Sequence, residues 1–244
     1  MATYIISDLH LAENKPVLIK AFECFYHKLF LNDRLIIAGD LFDFFVGLDP
    51  EDRVQQQVRD IVKKAAARGI TTYFQGGNRD FLVDGRAADF FGMKLLPEYY
   101  VVQTKEGPAL LLHGDELCLN DRNFQRFRAM SQNRIVKFLF LHLPLSWRKK
   151  IGASIRNKSQ AQDDQRHLAP EKYGIAHDAA QICLERVNAK IMIHGHFHAF
   201  GAHQNEFGER TYRFALGCWD NNFSYFVCDR NKLELVQKPM EKLF

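Results

Sequence analysis

Apolar runs of four or five residues recur along the chain, and five of them stop just short of a side chain able to hold a metal ion. TYIIS leads to Asp8 and His10, RLIIAG to Asp40, TTYFQGG to Asn78, ALLL to His113, and KIMIHG to His196 and His198. Unbroken apolar runs of this length, bounded by glycine, read as strands buried on both faces, as in parallel sheets. Helix-period stretches at 16–31 and 52–68 separate the first three, and Gly69 stands where a helix terminator belongs. Residues 1–78 therefore read as βαβαβ. The pattern then predicts a short helix over 80–91 ending at Gly92, a hairpin of 99–104 with 109–112 around Glu106-Gly107-Pro108, and helix throughout 120–167. After a helix near 174–187 come strands at 190–194, 211–216, 223–228 and 233–236 with no helix among them. This order predicts an α/β fold: two mixed sheets packed face to face, helices outside, and a helical cap inserted at about 120–167 of a single domain covering 1–244.

In open α/β sheets ligands sit beyond the carboxyl ends of the strands, so the seven ligand-type residues are expected to share one crevice. Asp8 and His10 are two apart, which points both to one side of extended backbone. A carboxylate such as Asp40 can bridge two cations, and the turn Gly195-His196-Phe197-His198 can offer an imidazole to each. Taken singly, a D-x-H or G-D serves as readily for local hydrogen bonding after a strand. Three histidines in five residues on a glycine turn are poor core formers and point to metal or phosphate, whereas His194, still on the strand, suits a structural or supporting role equally. The ordered set decides the matter. Oxygen and imidazole donors without thiolate suit Mn, Mg, Fe or Zn, and two such ions acidify a bridging water and clamp a phosphorus centre for in-line attack.

Composition narrows the picture. Five scattered cysteines without a C-x-x-C pair indicate neither a disulfide framework nor a zinc knuckle, and the first strand begins without a signal-peptide pattern, so a cytoplasmic location is expected. Charge is uneven. Residues 122–166 hold eleven Lys and Arg against two acids, a balance of +9 that leaves −5 elsewhere in a chain of net +4. Within that segment IVKFLFLHLPLSW (135–147) is too short to span a bilayer, which needs about 20 residues. It fits a core helix with a basic outer side, or a surface that meets anionic headgroups and acyl chains.

The ordered motifs D-x-H, G-D, G-N, H-G-D and G-H-x-H over residues 8–198 resemble those of the calcineurin-like metallophosphoesterases. Within that superfamily ISDLHL, GDLFDFFVG, GNRDFL, HGDELCLNDRNFQRFR, LPLSWRKKI and LGCW are similar to the UDP-2,3-diacylglucosamine diphosphatase family. The resemblance implies the calcineurin-like sandwich and hydrolysis of the diphosphate of UDP-2,3-diacylglucosamine to UMP and 2,3-diacylglucosamine 1-phosphate (lipid X), in lipid A biosynthesis. It implies two Mn²⁺ ions, although ligand chemistry also admits Mg²⁺ or Fe²⁺. One ion would take Asp8, His10, Asp40 and His198, the other Asp40, Asn78, His113 and His196. Asp40, Asn78, Arg79 and His113 are the implied catalytic residues; Asn78, Arg79, Asp121, Ser159, Arg166 and His196 are the implied substrate contacts. A nucleotide-linked diacyl lipid gives the apolar insertion a purpose at 124–158, with peripheral docking on the cytoplasmic face of the inner membrane. No nucleic acid partner is expected and no obligate protein partner is evident. The alternatives are another dinuclear phosphoesterase, such as one acting on a related nucleotide-linked lipid or a nuclease tracking phosphates along the basic segment, and a non-catalytic module. Against the nuclease, Phe124, Phe127, Phe138 and Phe140 alternate with aliphatics as in a buried face. The chain departs from the family at Phe197, Ala199 and Phe200, where a hydroxyl, a guanidinium and a proline are usual, and at Asp163, Arg166 and 170–174.

Overall fold

The computed structural model describes residues 1–166 and 174–244, with only the backbone path described over 157–166. Among the described residues, eleven strands form two sheets. The first runs β11-β10-β1-β2-β3-β4, with β1 (Thr3–Ile6), β2 (Arg34–Ala38), β3 (Thr71–Gln75) and β4 (Lys94–Leu95) parallel, and β10 (Asn222–Cys228) antiparallel to both β1 and β11 (Leu233–Pro239). The second runs β5-β6-β7-β9-β8, with β6 (Gly107–Leu111), β7 (Ile191–His194) and β9 (Tyr212–Leu216) parallel and flanked by antiparallel β5 (Tyr100–Thr104) and β8 (Phe200–Gln204).

The unbroken apolar runs are explained by what covers each face. Along β2, Ile36 and Ala38 enter the layer between the sheets, while Leu35 and Ile37 face α1 (Pro16–His27) and α2 (Arg53–Ala67). Along β7, Ile191 and Ile193 enter the same middle layer, and Met192 faces α7 (His177–Arg186) with Ala180 and Leu184. With apolar partners on both sides, alternation disappears from the sequence.

The predicted elements hold with local corrections. α1 stops at His27 because the Asp33 carboxylate accepts from Phe30 N (3.0 Å) and Asn32 turns left-handed (φ 68°), leaving Phe30 and Leu31 exposed. The expected helix over 80–91 is only α3 (Gly85–Phe91), capped by Asp84, whose carboxylate accepts from Ala87 N; Asp80 is held in the preceding turn by other partners. The hairpin turns at Lys105-Glu106, and Gly107 and Pro108 already belong to β6. β8 was not anticipated: it is an edge strand with mostly exposed residues, so it has no apolar run to announce it.

Between β6 and β7 the chain forms α4 (Arg122–Gln132), α5 (Arg134–His142) and α6 (Leu145–Arg166). Asp121 caps α4 by accepting from Phe124 N, and Asn133 caps α5 by accepting from Ile135 N. The buried-face expectation fails here, since α5 has no buried residue and Phe138 is 60% exposed. Only Phe140 and Leu141 of α5 pack against the main core, and Lys137 Nζ donates to the Phe81 carbonyl (2.9 Å). Among the described residues no helix is long and apolar enough to cross a membrane.

Candidate metal and phosphate site

The parallel pairs β1-β2-β3 and β6-β7 end at one edge of the sandwich, and the loops that follow them carry all seven predicted ligands. Neighbouring loops are stitched together: Asp8 N donates to the Gly39 carbonyl (3.1 Å), His10 N to Asp40 (3.0 Å), and Gly195 N to His113 (2.8 Å). Five of the seven residues have left-handed backbone: Asp8 (φ 55°), His10 (47°), Asp40 (54°), His196 (65°) and His198 (55°). Asp and His are among the side chains that tolerate this region best, yet each instance still costs of order 1 kcal/mol and persists only where surroundings enforce it.

At Asp40 the enforcing group is Asp80. Its buried carboxylate accepts from Gly77 N (2.9 Å), Asp40 N (3.2 Å), Leu41 N (2.7 Å) and Phe42 N (3.3 Å), so one side chain fixes the loops after both β2 and β3. Sequence reading missed it, placing Asp80 in a helix; its signal is the fourth position of the G-N-R-D turn. Glycine is required at 77 and 195 because a Cβ there would strike the carboxylates of Asp40 and Asp8 respectively.

The donor atoms converge in two groups. One atom each from Asp8, His10 and His198 lie within 4.8 Å of one another, as do one each from Asp8, Asp40 and His113. Asp8 is common to both. Asp8 Oδ2 accepts from His196 N (2.9 Å), whereas its buried Oδ1 has no hydrogen-bonding partner, with His198 Nε2 at 3.4 Å and His10 Nε2 at 3.9 Å. The two imidazole nitrogens of His10 and His198 face each other at 3.0 Å. His113 Nδ1–H donates to the Ala38 carbonyl (2.9 Å), which turns Nε2 toward Asn78 Oδ1 (3.0 Å) and Asp40 Oδ1 (3.5 Å). His196 Nδ1 reaches the same Asn78 oxygen at 2.8 Å. An orphaned buried carboxylate oxygen beside two imidazole nitrogens in close contact is a donor set suited to divalent cations.

Electrostatics agree. Burial drives Asp40 up to about 7, with Asp80 and Asp8 adding to the rise against His113. Burial disfavours a charged His113, yet Asp40, Asp8, Asp115 and Glu116 together raise it to about 10. Those carboxylates demand positive charge at this point, which a divalent ion supplies more fully than one proton. Burial keeps His10 well below the usual imidazole range, so its lone pair is available.

The implied substrate contacts distribute around this centre. Asn78 and His196 lie within it; Arg79 is buried beside it, its N–H donating to Asp40 Oδ1 (2.9 Å). Asp121 stands at the start of α4, and the Phe124 ring of that helix stacks on His196 (centroids 5.8 Å apart, 28°). The side chains of Ser159 and Arg166 lie outside the described residues. A second feature missed by sequence reading ties the cap down: Arg128 of α4 pairs with Asp115 (2.7 Å), Glu116 (3.6 Å) and Glu98, beside the loop after His113.

Residues 1–200, which carry this strand-end crevice, match the calcineurin-like phosphoesterase family model. The chain belongs to that family. Its relatives include proteins named UDP-2,3-diacylglucosamine hydrolase from Tolumonas auensis (36% identity, covering 98% of each chain) and Histophilus somni strain 129Pt (37%, covering 96% of this chain and 99% of the relative). Another so named, from Proteus mirabilis, is 35% identical and covers 98% of this chain and 100% of the relative. The family membership makes the chain a metal-dependent phosphoesterase and accounts for two mixed sheets whose strand ends carry oxygen and imidazole donors.

Proposed function

We propose that this chain hydrolyses the diphosphate bond of UDP-2,3-diacylglucosamine, releasing UMP and 2,3-diacylglucosamine 1-phosphate. One observation carries the reading: the crevice of Asp8, His10, Asp40, Asn78, His113, His196 and His198 lies beneath a helical insertion, residues 122–166, that exposes apolar side chains. Near-full-length similarity to the named hydrolases supports it.

Asp8, His10, Asp40 and His198 would hold one divalent ion, and Asp40, Asn78, His113 and His196 another, with Asp40 shared between them. When bound, such a pair neutralises phosphate charge and lowers the pKa of water into the working range. The protein residues do the rest. Arg79, fixed through its backbone to Asp40, sets a cation that can pair with phosphate oxygens. Asn78 and His196 orient the reacting group, and Asp121 accepts hydrogen bonds from the sugar or amide. Burial around Asp8, Asp40 and His113 removes competing water and strengthens every charge interaction. Mn²⁺ is the proposed ion pair.

The insertion takes the acyl chains and meets the membrane. Ile135, Phe138, Leu139 and Trp147 are exposed at 69, 60, 61 and 60%, among the cations Arg134, Lys149 and Lys150. Apolar side chains with a basic surround suit acyl tails and anionic headgroups, which supports peripheral association with the cytoplasmic face of the inner membrane. A phosphate track for nucleic acid has no use for such exposed aliphatics. The test is UMP release from UDP-2,3-diacylglucosamine by the purified chain with Mn²⁺. Chelation should abolish it and added Mn²⁺ restore it; no release, or release indifferent to chelator, would refute the reading.

A further inference from the structure

His194 is buried at the end of β7 and is not placed to ligate with His196 and His198, yet it is chained to a strong ion pair. Its Nδ1 contacts the Gly195 carbonyl at 2.9 Å, and its Nε2 lies 3.2 Å from Arg213 Nη1. Arginine can only donate, so Nε2 is the acceptor and Nδ1 carries the proton. Arg213 sits on β9 directly opposite Met192 of β7, and its guanidinium grips Glu206 with two bonds, Nε to Oε2 (2.6 Å) and Nη2 to Oε1 (3.2 Å). The Gly195 carbonyl at the inner end also accepts from Phe197 N (2.8 Å), and the Phe197 ring meets His194 and His196 edge-on at 5.5 and 5.1 Å. The chain of bonds thus runs Glu206, Arg213, His194, Gly195 and ends on the peptide that precedes left-handed His196.

We propose that Glu206 and Arg213 are positioning residues for the site: acting through His194, they fix the Gly195 carbonyl and so set the 195–198 turn that presents His196 and His198. This rests on the divalent-ion reading given above. Neither residue touches the crevice, and both stand on the outer side of the second sheet, where an ion pair serving stability alone would leave the crevice unaffected. Partners that orient metal-binding histidines are typically worth about 10- to 100-fold in metal affinity or rate.

The experiment compares Mn²⁺ binding, followed by titration calorimetry and by electron paramagnetic resonance, with kcat and KM for UMP release in the full chain. Arg213→Met should weaken the more loosely held Mn²⁺ by about 10- to 100-fold and lower kcat, while KM moves by less than about threefold. Arg213→Lys should recover part of both, since an ammonium can still donate to Nε2 but cannot hold Glu206 with a planar fork. Parental Mn²⁺ affinities and kcat in Arg213→Met, whatever its melting temperature, would overturn the proposal. Should that variant not fold, Glu206→Gln carries the test: a loss of several-fold in Mn²⁺ affinity supports it and unchanged binding overturns it. If the parent binds Mn²⁺ without cleaving the lipid, the substrate reading fails while the affinities alone still decide this proposal. A parent that binds no Mn²⁺ overturns both.

Discussion

Asp8, Asp40 and His113 are at most 1% exposed, whereas Phe138 and Leu139 of the insertion are about 60% exposed, so polar ligands occupy the interior and large apolar groups the surface. The two regions reverse the usual distribution, and they are held by different forces. In the crevice the loops are crossed by hydrogen bonds from one another, Asp80 alone accepting four, and left-handed backbone occurs at five of the predicted ligands. The insertion is fastened at a few points: Arg128 on Asp115, Lys149 on Asp49 (2.6 Å), Arg156 on Asp43 (2.5 Å) and Arg148 Nη1 on the Val46 carbonyl (2.6 Å). A half-exposed pair such as Lys149–Asp49 contributes about 0–1 kcal/mol, whereas Arg128–Asp115 is largely buried, so the part of the insertion beyond α4 is the more readily displaced region. The difference teaches a division of labour. Rigid, desolvated geometry suits phosphate chemistry, and on the proposed reading the apolar surface of the insertion would serve a flexible lipid.

Substitutions can break this contrast, beginning with the ligands. Asp40→Ala and His113→Ala should each reduce UMP release by about 10³-fold or more, and metal analysis should find fewer bound ions. Full activity in either would remove the claim of a cation pair. Asp80→Asn should come next, because it sets an amide NH₂ among four backbone donors; a loss of about 1–3 kcal/mol in urea unfolding and about tenfold in kcat is expected. A variant of parental stability and rate would show that the loops do not depend on Asp80. The double change Phe138→Ser, Leu139→Ser should have the smallest effect on folding, within about 0.5 kcal/mol, because both side chains are already in water. The same variant should bind anionic vesicles at least about tenfold more weakly, since two large apolar side chains no longer leave water on docking. Parental vesicle binding would separate the exposed apolar face from the membrane.

Family membership and the order of strands and predicted ligands were legible in the chain because one or two of these residues follow each of five strands, and a strand buried on both faces writes an unbroken apolar run. The helix caps Asp52 and Asp84, and the terminators Gly69 and Gly92, act within one turn and could be read or nearly read from adjacent residues. Errors arose where a distant partner decides the outcome. Asp80 looked helical until its four acceptor bonds to the loops after β2 and β3 were in place, and β8 gave no periodic signal because nearly all of its residues are exposed.

The amino-acid sequence by itself determined which residue types stand at the carboxyl ends of which strands, and hence the kind of chemistry the chain can support. Only the tertiary structure decided that Asp8 is common to both donor groups, that His194 is chained to Arg213 and Glu206, and that the apolar face of the insertion is left in solvent. The physical reason is range. Strand, cap and turn preferences act over a few residues, whereas the direction of a lone pair or the covering of a helix face depends on segments that meet only when both sheets have closed on each other.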